Sequence, residues 1–358
     1  MKRFKNILVV YDSKTDNQAL FNQAVDLAQN NQASVMVIDV IEDISPVPAK
    51  EIRNQLADDT HKSKFHIIEG LSTENLFPPN PGVPVEDEKN MVSSIEEPSI
   101  NIMEYIKQVE EANLQQFVLQ FQRAGVKVNS KTILGIPFIK IIQEVLQNHY
   151  DLVMITAEGQ EGVKEALFGN TTMHLMRKCP CPIWVIKPGQ PAYYNRILAA
   201  VDLFQNDHER VALAKKIMEL ATSLARSRQS ELLIMHSWSL FGESVLRGRG
   251  GISNEAIEKI RKETRDEHLQ WLTELIQQHP MDDLKTSVYL LQGDAGTLIN
   301  NLAQVRDVDL IIMGTVSRGG LSGLFIGNTA EKVLQQANCS MLTVKPDGFI
   351  SPVKLEQG

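Results

Sequence analysis

The sequence has few cysteines, few aromatic side chains and no long hydrophobic run. Three cysteines occur in 358 residues, and Phe, Trp and Tyr together make up 6%. An odd number of cysteines fits reduced thiols better than a disulfide framework. No apolar run approaches the roughly 18 residues that a membrane helix needs, and the apolar stretch near the N-terminus is too short for a secretory leader. We therefore expect a cytoplasmic protein without a membrane span.

The chain also lacks an excess of positive charge. It carries 36 Lys and Arg against 44 Asp and Glu, which gives a net charge of −8. Nonspecific nucleic-acid binding needs a basic face that neutralises phosphates, so we expect no direct nucleic-acid partner. At roughly 100–200 residues per domain, the length predicts two domains.

The sequence signatures of several enzyme classes are missing. There is no Gly-x4-Gly-Lys-[Ser/Thr] loop, whose lysine would reach the β- and γ-phosphates of a nucleotide. The eight histidines show no metal-ligand spacing, and no Gly-x-Ser-x-Gly nucleophile elbow occurs. We therefore predict no metal site, no catalytic residue and no turnover beyond slow, incidental hydrolysis. His236, at the end of a predicted strand, is expected to be a packed and hydrogen-bonded core residue.

The chain repeats itself. Residues 151–155 (DLVMI) recur 158 positions later as residues 309–313 (DLIIM). The same offset relates the Gly-Asn-Thr tripeptide that begins at Gly169 to the one that begins at Gly327. The same offset without gaps from residue 151 to residue 171 indicates a duplicated domain.

The first copy is longer than the second because it carries an insertion. The opening strands match at an offset of 190, so the first copy has 32 extra residues between its first strand and Gly135. Residues 70–99 are rich in proline and acid and show no periodicity, which is typical of a surface insertion or a flap. The predicted units are a first domain at 1–188, a linker at 189–191 and a second domain at 192–358.

Short apolar runs alternate with amphipathic stretches of helical period in both copies. Several runs are apolar without alternation, as expected for parallel strands that are covered on both faces. Five strands and four intervening helices per copy predict an α/β fold with two tandem, doubly wound, five-stranded parallel sheets of Rossmann-like type. The predicted strands are 7–12, 34–40, 126–134, 152–156 and 183–186, then 197–202, 231–237, 285–291, 310–314 and 341–344.

The candidate site in each copy lies beyond the carboxyl ends of the strands, where the strand order of a doubly wound sheet reverses. The acid that ends the first strand, Asp12 or Asp202, either binds a ribose hydroxyl or a base, or initiates a turn. The glycine-containing segment after the fourth strand and the Gly-Asn-Thr tripeptide before the last helix can present backbone N–H groups to a phosphate. Alternatively, their glycines give only loop flexibility and close packing.

This arrangement resembles the universal stress proteins, whose nucleotide-binding members carry Gly-x2-Gly-x9-Gly-[Ser/Thr] after the fourth strand. The resemblance covers nearly the whole chain. Residues 314–316 (GTV), 327–333 (GNTAEKV) and 344–347 (VKPD) look particularly like the tandem E-type members. The resemblance implies an adenine nucleotide alpha hydrolase-like fold and a role in general stress response. It also implies an intramolecular pseudo-dimer, in which the final strands at 182–186 and 340–344 meet.

The second copy keeps most of that motif. Gly314 and Gly327 are retained, whereas Ser317 replaces the second glycine and Asn328 replaces the Ser or Thr. The amide of Asn328 can still donate a hydrogen bond, and Arg318 adds a cation. The residues that the resemblance assigns to nucleotide binding here are Asp202, Gly314, Ser317, Arg318, Gly327, Asn328 and Thr329.

The first copy is the poorer match, and we expect its site to be degenerate. Thr156 replaces the first glycine, and Glu158 would repel a phosphate. The corresponding nucleotide-binding residues are Asp12, Gly159, Gly169, Asn170 and Thr171.

Three functions remain open at this point. The first is a cytoplasmic, non-enzymatic regulatory or adaptor module of the stress response that binds ATP or AMP with Mg²⁺ in its second domain. The second is a binding module with degenerate nucleotide sites that holds another small molecule, apolar ligands included. The third is a slow ATPase. The partners implied are a small-molecule ligand and proteins of stress regulation, and the pseudo-dimer is open to further dimerisation.

Overall fold

The computed structural model describes residues 4–42, 102–157, 169–190, 193–204, 206–240, 242, 253–315 and 327–355. The insertion predicted at 70–99 lies outside these residues. The chain divides into two compact units, one formed by Met1–Glu42 with Lys107–Gly358 and the other by Asp43–Ile106. Both repeated copies belong to the first unit, and the described part of the second unit is residues 102–106, at the start of a helix. The domain limits at 1–188 and 192–358 remain predictions.

Each copy contains five strands and four helices within the described residues. In the first copy these are β1 (Asn6–Tyr11), α1 (Gln18–Asn31), β2 (Ser34–Ile41), α2 (Ile102–Arg123), β3 (Val128–Leu134), α3 (Pro137–Asn148), β4 (Leu152–Thr156), α4 (Asn170–Lys178) and β5 (Ile183–Ile186). In the second they are β6 (Arg196–Val201), α5 (His208–Arg228), β7 (Glu231–Trp238), α6 (Asn254–Gln277), β8 (Thr286–Gln292), α7 (Ala295–Val305), β9 (Leu310–Gly314), α8 (Asn328–Gln336) and β10 (Ser340–Val344). All ten predicted strands are confirmed, and their ends differ from the predicted ends by at most two residues.

The two predicted sheets join into one continuous sheet of ten strands, in the order β3-β2-β1-β4-β5-β10-β9-β6-β7-β8. Pairing is parallel within each copy, so the doubly wound fold class is confirmed. The strand order reverses between β1 and β4 in the first copy and between β6 and β9 in the second. These two positions are where a ligand crevice is expected.

The copies meet where β5 and β10 pair antiparallel. Trp184 lies opposite Leu342, and these two residues are themselves related by the repeat offset of 158. The pseudo-twofold axis therefore passes between them, and the predicted pseudo-dimer is confirmed. The pairing covers one edge strand of each copy.

Apolar side chains cover both faces of the sheet. Every residue of β4 and β10 is buried, which explains why these strands read as apolar runs without alternation. Free Cys179, Cys181 and Cys339 are buried as well, as expected for small core side chains. Within the residues that the structure describes, no helix is long and apolar enough to cross a membrane.

Candidate functional site

The crevice of the second copy brings three predicted site residues to one edge of the sheet. β6 and β9 are neighbours, with Ala200 opposite Met313, so Asp202 and Gly314 leave the sheet side by side. The backbone N–H of Gly327 donates to the carbonyl oxygen of Thr315 at 3.0 Å, which holds the start of α8 against the end of β9. Asp202, Gly314 and Gly327 therefore lie together at the strand-order reversal.

The N-terminus of α8 has no side-chain cap. Gly327 occupies the cap position in an extended conformation, with φ −67° and ψ 144°. Asn328 is exposed and Thr329 is half-buried. The first backbone N–H groups of a helix have no partner within the helix, so those of α8 can bind an anion. The other helices of this copy are capped by side chains of Asp207, Ser253 and Asp294.

One acid in the first turn of α8 opposes an anion, and a cation from the other copy offsets it. Glu331 Oε1 lies 3.6 Å from Arg177 Nη2, which belongs to α4 of the first copy. Both side chains are about one-third exposed or more, so the pair contributes little to stability. The Arg177 cation nevertheless reduces the negative potential that Glu331 creates beside the start of α8.

The two strand-end acids have different environments. Asp12 Oδ1 accepts a hydrogen bond from the backbone N–H of Lys14 at 2.9 Å. This contact is typical of an aspartate that initiates a turn, which is one of the two alternatives given above for this residue. Asp202 is 55% exposed, and its Oδ2 lies 3.5 Å from Nη1 of Arg210 on α5. Asp202 thus keeps a carboxylate at the crevice of the second copy, held in place by a cation.

Gly314 serves packing at the end of β9. A Cβ atom at this position would lie 2.7 Å from Cδ2 of Leu213 on α5. The absence of a side chain therefore allows α5 to approach the strand closely, as in the packing alternative for these glycines.

A side-chain amide spans the equivalent crevice of the first copy. Asn17 Nδ2 donates to the carbonyl oxygen of Asp12 at 2.8 Å, and its Oδ1 accepts from the hydroxyl of Thr156 at 3.3 Å. The loop after β1 is thereby tied to the end of β4. The equivalent residue of the second copy, Asp207, instead caps α5. A groove of about 280 Å³ opens next to Asn17, between α1 and α2.

The remaining candidate residues of the first copy are at the start of α4. Gly169 is the cap residue, Asn170 is exposed and Thr171 is half-buried, as at the start of α8. Gly159, Ser317 and Arg318, which were assigned to the loops after β4 and β9, lie outside the described residues.

Two buried titratable groups occupy the same place in the two copies. Asp39 of β2 lies opposite Tyr11 of β1, and His236 of β7 lies opposite Val201 of β6. His236 is 1% exposed and hydrogen-bonded, which confirms the core assignment. Asp39 is 6% exposed and was missed, although an acid inside the apolar run SVMVIDVI was a visible signal.

Asp39 is an acid in an unfavourable environment. Its pKa is raised from 3.8 to about 7, mainly by burial and then by the negative charges of Glu110 on α2 and of Asp12, whereas Lys14 and the Val40 N–H oppose the shift. Its Oδ2 has no hydrogen-bond partner within the described part of the chain. Between about pH 4 and about pH 7, the folded protein therefore binds a proton at Asp39 that the unfolded chain does not bind.

The stability of the Asp39→Asn variant should depend less on pH than that of the wild type between about pH 4 and about pH 7. Because the pKa of Asp39 is raised on folding, its contribution to stability declines as the pH rises from about 4 to about 7. Asparagine removes this decline. Relative to the wild type, the free energy of unfolding of the variant should rise by about 1–2 kcal/mol when the pH is raised from about 5 to about 8. This figure allows for screening by water. Urea unfolding at both pH values measures this, with exposed Asp282→Asn as the control. A parallel pH dependence in wild type and Asp39→Asn would contradict it.

Comparison with known proteins identifies the family. The model described as "Universal stress protein family" matches residues 3–187 and 193–345. The chain belongs to the universal stress protein family. Universal stress protein E of Salmonella typhi is 30% identical over 242 residues, which are 66% of this chain and 74% of that protein. Universal stress protein E of Photorhabdus laumondii is 25% identical over 361 residues, which cover 99% of both chains. This chain is accordingly a tandem member of the E type.

Solved structures show the same fold. A functionally unknown protein from Pseudomonas aeruginosa PAO1 superposes with a TM-score of 0.61 at 21% identity, over 97% of this chain and 94% of that chain. A universal stress protein from Archaeoglobus fulgidus superposes with a TM-score of 0.55 at 14% identity, over 95% of this chain and 98% of that chain. Both superpositions include the two tandem domains of the present chain.

Proposed function

We propose that this tandem universal stress protein is a regulatory module whose second domain binds an adenine nucleotide. The family and the tandem architecture support a role in the stress response. The observation that carries the nucleotide proposal is the meeting of Asp202, Gly314 and the uncapped start of α8 at the strand-order reversal. Nucleotides bind at this place in doubly wound sheets. Cytoplasmic location, regulatory protein partners and further dimerisation are parts of the same proposal.

In this proposal each residue has a defined role. The first N–H groups of α8, together with the Asn328 amide and the Thr329 hydroxyl, bind phosphate. The Asp202 carboxylate, held by Arg210, accepts hydrogen bonds from ribose hydroxyls.

The described residues suit a nucleotide that brings its own metal ion. No group of three or more His, Cys, Asp or Glu side chains in the described ranges is placed to hold a metal. Mg²⁺ that arrives with a nucleotide is commonly held by phosphates and waters with one or two carboxylates rather than by a dedicated protein site. The residues thus fit Mg-ATP or AMP better than a metal bound before the nucleotide.

A charge placed at the start of α8 tests the proposal. Asn328→Asp is nearly isosteric and suits a helix N-terminus, so the fold should be kept, but the new carboxylate would repel a phosphate. We expect the affinity for Mg-ATP to fall about tenfold or more, equivalent to about 1.4 kcal/mol. Isothermal titration calorimetry and ligand-induced thermal stabilisation measure the change.

The repeat supplies a matched control for this experiment. Asn170→Asp makes the same change at the start of α4 in the first domain and should leave the affinity unaltered. If the wild type shows no saturable stabilisation by millimolar Mg-ATP, or if Asn170→Asp weakens binding as much as Asn328→Asp, the second-domain site is wrong.

The same purified protein can be tested for a different ligand and for ATP hydrolysis. The packing role of Gly314 is the observation that favours a module with another ligand, because this glycine is explained without a phosphate. Native mass spectrometry of freshly purified protein would show a retained ligand by its mass. Phosphate release above that of Asn328→Asp would reveal an ATPase.

A further inference from the structure

Beside the second-domain crevice, β7 and α6 bring two histidines into contact. Nδ1 of His236 lies 3.1 Å from the carbonyl oxygen of Val201, and Nε2 of His236 lies 2.7 Å from Nδ1 of His268. A carbonyl oxygen only accepts hydrogen bonds, so Nδ1 of His236 carries the proton. In the neutral ring Nε2 is then an acceptor, and Nδ1–H of His268 donates to it. This chain of hydrogen bonds leaves Nε2 of His268 as an acceptor.

The surroundings of the pair favour neutral rings. Burial lowers the pKa of His236 and that of His268 below the ordinary 6.5, and the neighbouring imidazole lowers that of His236 further. Asp202 opposes the shift at both rings, the Val201 carbonyl opposes it at His236, and Glu267 of α6 opposes it at His268. β8 contributes apolar Leu290 opposite His236. The acceptor on His268 is therefore present at neutral pH and is lost on acidification.

Aromatic rings connect His268 to Asp202. The ring of Trp271 lies 4.6 Å from that of His268 and 5.9 Å from that of Phe204, edge-on in both cases. Phe204 is 45% exposed, and the Arg210 guanidinium that contacts Asp202 also lies 5.5 Å from its ring. We call Asp202, Phe204, His268 and Trp271 the His268 surface. It offers an acceptor nitrogen, aromatic rings and the Asp202 carboxylate of the candidate site.

We propose that His268 is the residue that makes the second domain select a nucleotide over a bare polyphosphate, by accepting a hydrogen bond from an N–H or O–H of the nucleoside. A polyphosphate has no base N–H, no sugar hydroxyl and no apolar face for Phe204 and Trp271. The inference rests on the proposed function and adds the ligand group that is recognised.

In the described residues of the first domain, no histidine pair occupies the corresponding place. Asp39 stands where the second domain has His236, and the helix packed over it contributes an acid, Glu110. An aspartate and a glutamate supply no imidazole nitrogen as an acceptor at this place. Selection by an imidazole acceptor is thus a property of the second domain.

The test compares ATP with tripolyphosphate, both with Mg²⁺, on the full chain. We expect wild type to bind ATP at least about tenfold more tightly near pH 7.5, with the ratio falling towards about pH 5.5 as His268 takes up a proton. In His268→Ala, the affinity for ATP should fall to about that for tripolyphosphate, while the affinity for tripolyphosphate should stay unchanged. His268→Gln keeps an acceptor that does not titrate, so it should keep most of the ratio and lose its pH dependence.

Controls separate this inference from the proposed function. His279→Gln removes an imidazole whose Nδ1 lies 2.8 Å from the Leu275 carbonyl oxygen, at the end of α6, and it should behave as wild type. Equal affinities for the two ligands, a ratio that rises on acidification, or a wild-type ratio in folded His268→Ala overturns the role of His268 and leaves the phosphate site standing. Absence of saturable binding of either ligand overturns both proposals.

Discussion

Replacing Trp184 with alanine is expected to lower the free energy of unfolding by about 3–5 kcal/mol. The side chain is fully buried in β5 and lies opposite Leu342 of β10 on the pseudo-twofold axis. Its loss leaves a cavity in an apolar layer that both domains share. Because interiors are close-packed, the surrounding side chains can fill such a cavity only in part.

Urea or guanidinium unfolding, followed by circular dichroism, measures this effect. Trp184→Leu introduces the residue that the other copy carries at the same position, so it should cost less than alanine. Ile350→Ala removes a side chain that is 78% exposed and should change the free energy by less than about 0.5 kcal/mol. If Trp184→Ala had wild-type stability, the junction of β5 and β10 would not be part of the hydrophobic core.

Replacing Glu231 with alanine is expected to cost about 2–3 kcal/mol at neutral pH. This carboxylate at the start of β7 is 8% exposed and has three cationic neighbours. Its oxygens lie 2.7 Å from Arg306 Nη2, 3.2 Å from Lys285 Nζ and 3.6 Å from Arg196 Nε. Alanine would leave three positive charges without their shared partner. We expect a cost at or below the lower end of the about 3–5 kcal/mol that breaking a fully buried pair costs, because the three cations are partly exposed.

The cost should depend on pH in a defined direction. Burial by itself would raise the pKa of Glu231, but Lys285 and Arg306 outweigh it and hold the pKa below the ordinary 4.5. The stabilisation is therefore present above about pH 4.5 and is lost as the pH falls through the lowered value. Unfolding at about pH 7 and about pH 3 should show the gap between wild type and variant narrowing in acid. Exposed Glu263→Ala should cost less than about 0.5 kcal/mol at either pH. A gap that widens in acid would contradict the ion-pair account.

The candidate site was only partly predictable, because its residues carry different kinds of signal. Asp202, Gly314 and Gly327 could be placed at one sheet edge since strand ends follow from hydrophobic runs and their meeting place from the fold class. The His236–His268 contact could not, because it joins a strand to a point well inside the following helix. The amide of Asn17 across the first crevice had no sequence signal either. Asparagine before a helix is an ordinary cap residue wherever it occurs.

The sequence by itself determined the duplication, the ten strands, the family and the edge of the sheet that carries the candidate site. These properties depend on local hydrophobic patterning and on the repeat, and both can be read along the chain. The tertiary structure alone decided that the two sheets are continuous through Trp184 and Leu342. It also decided that Asp12 bonds within a turn while Asp202 contacts Arg210, and that two histidines leave one acceptor beside the crevice. Such properties depend on contacts between residues far apart in the chain, whose distances and protonation are set by packing.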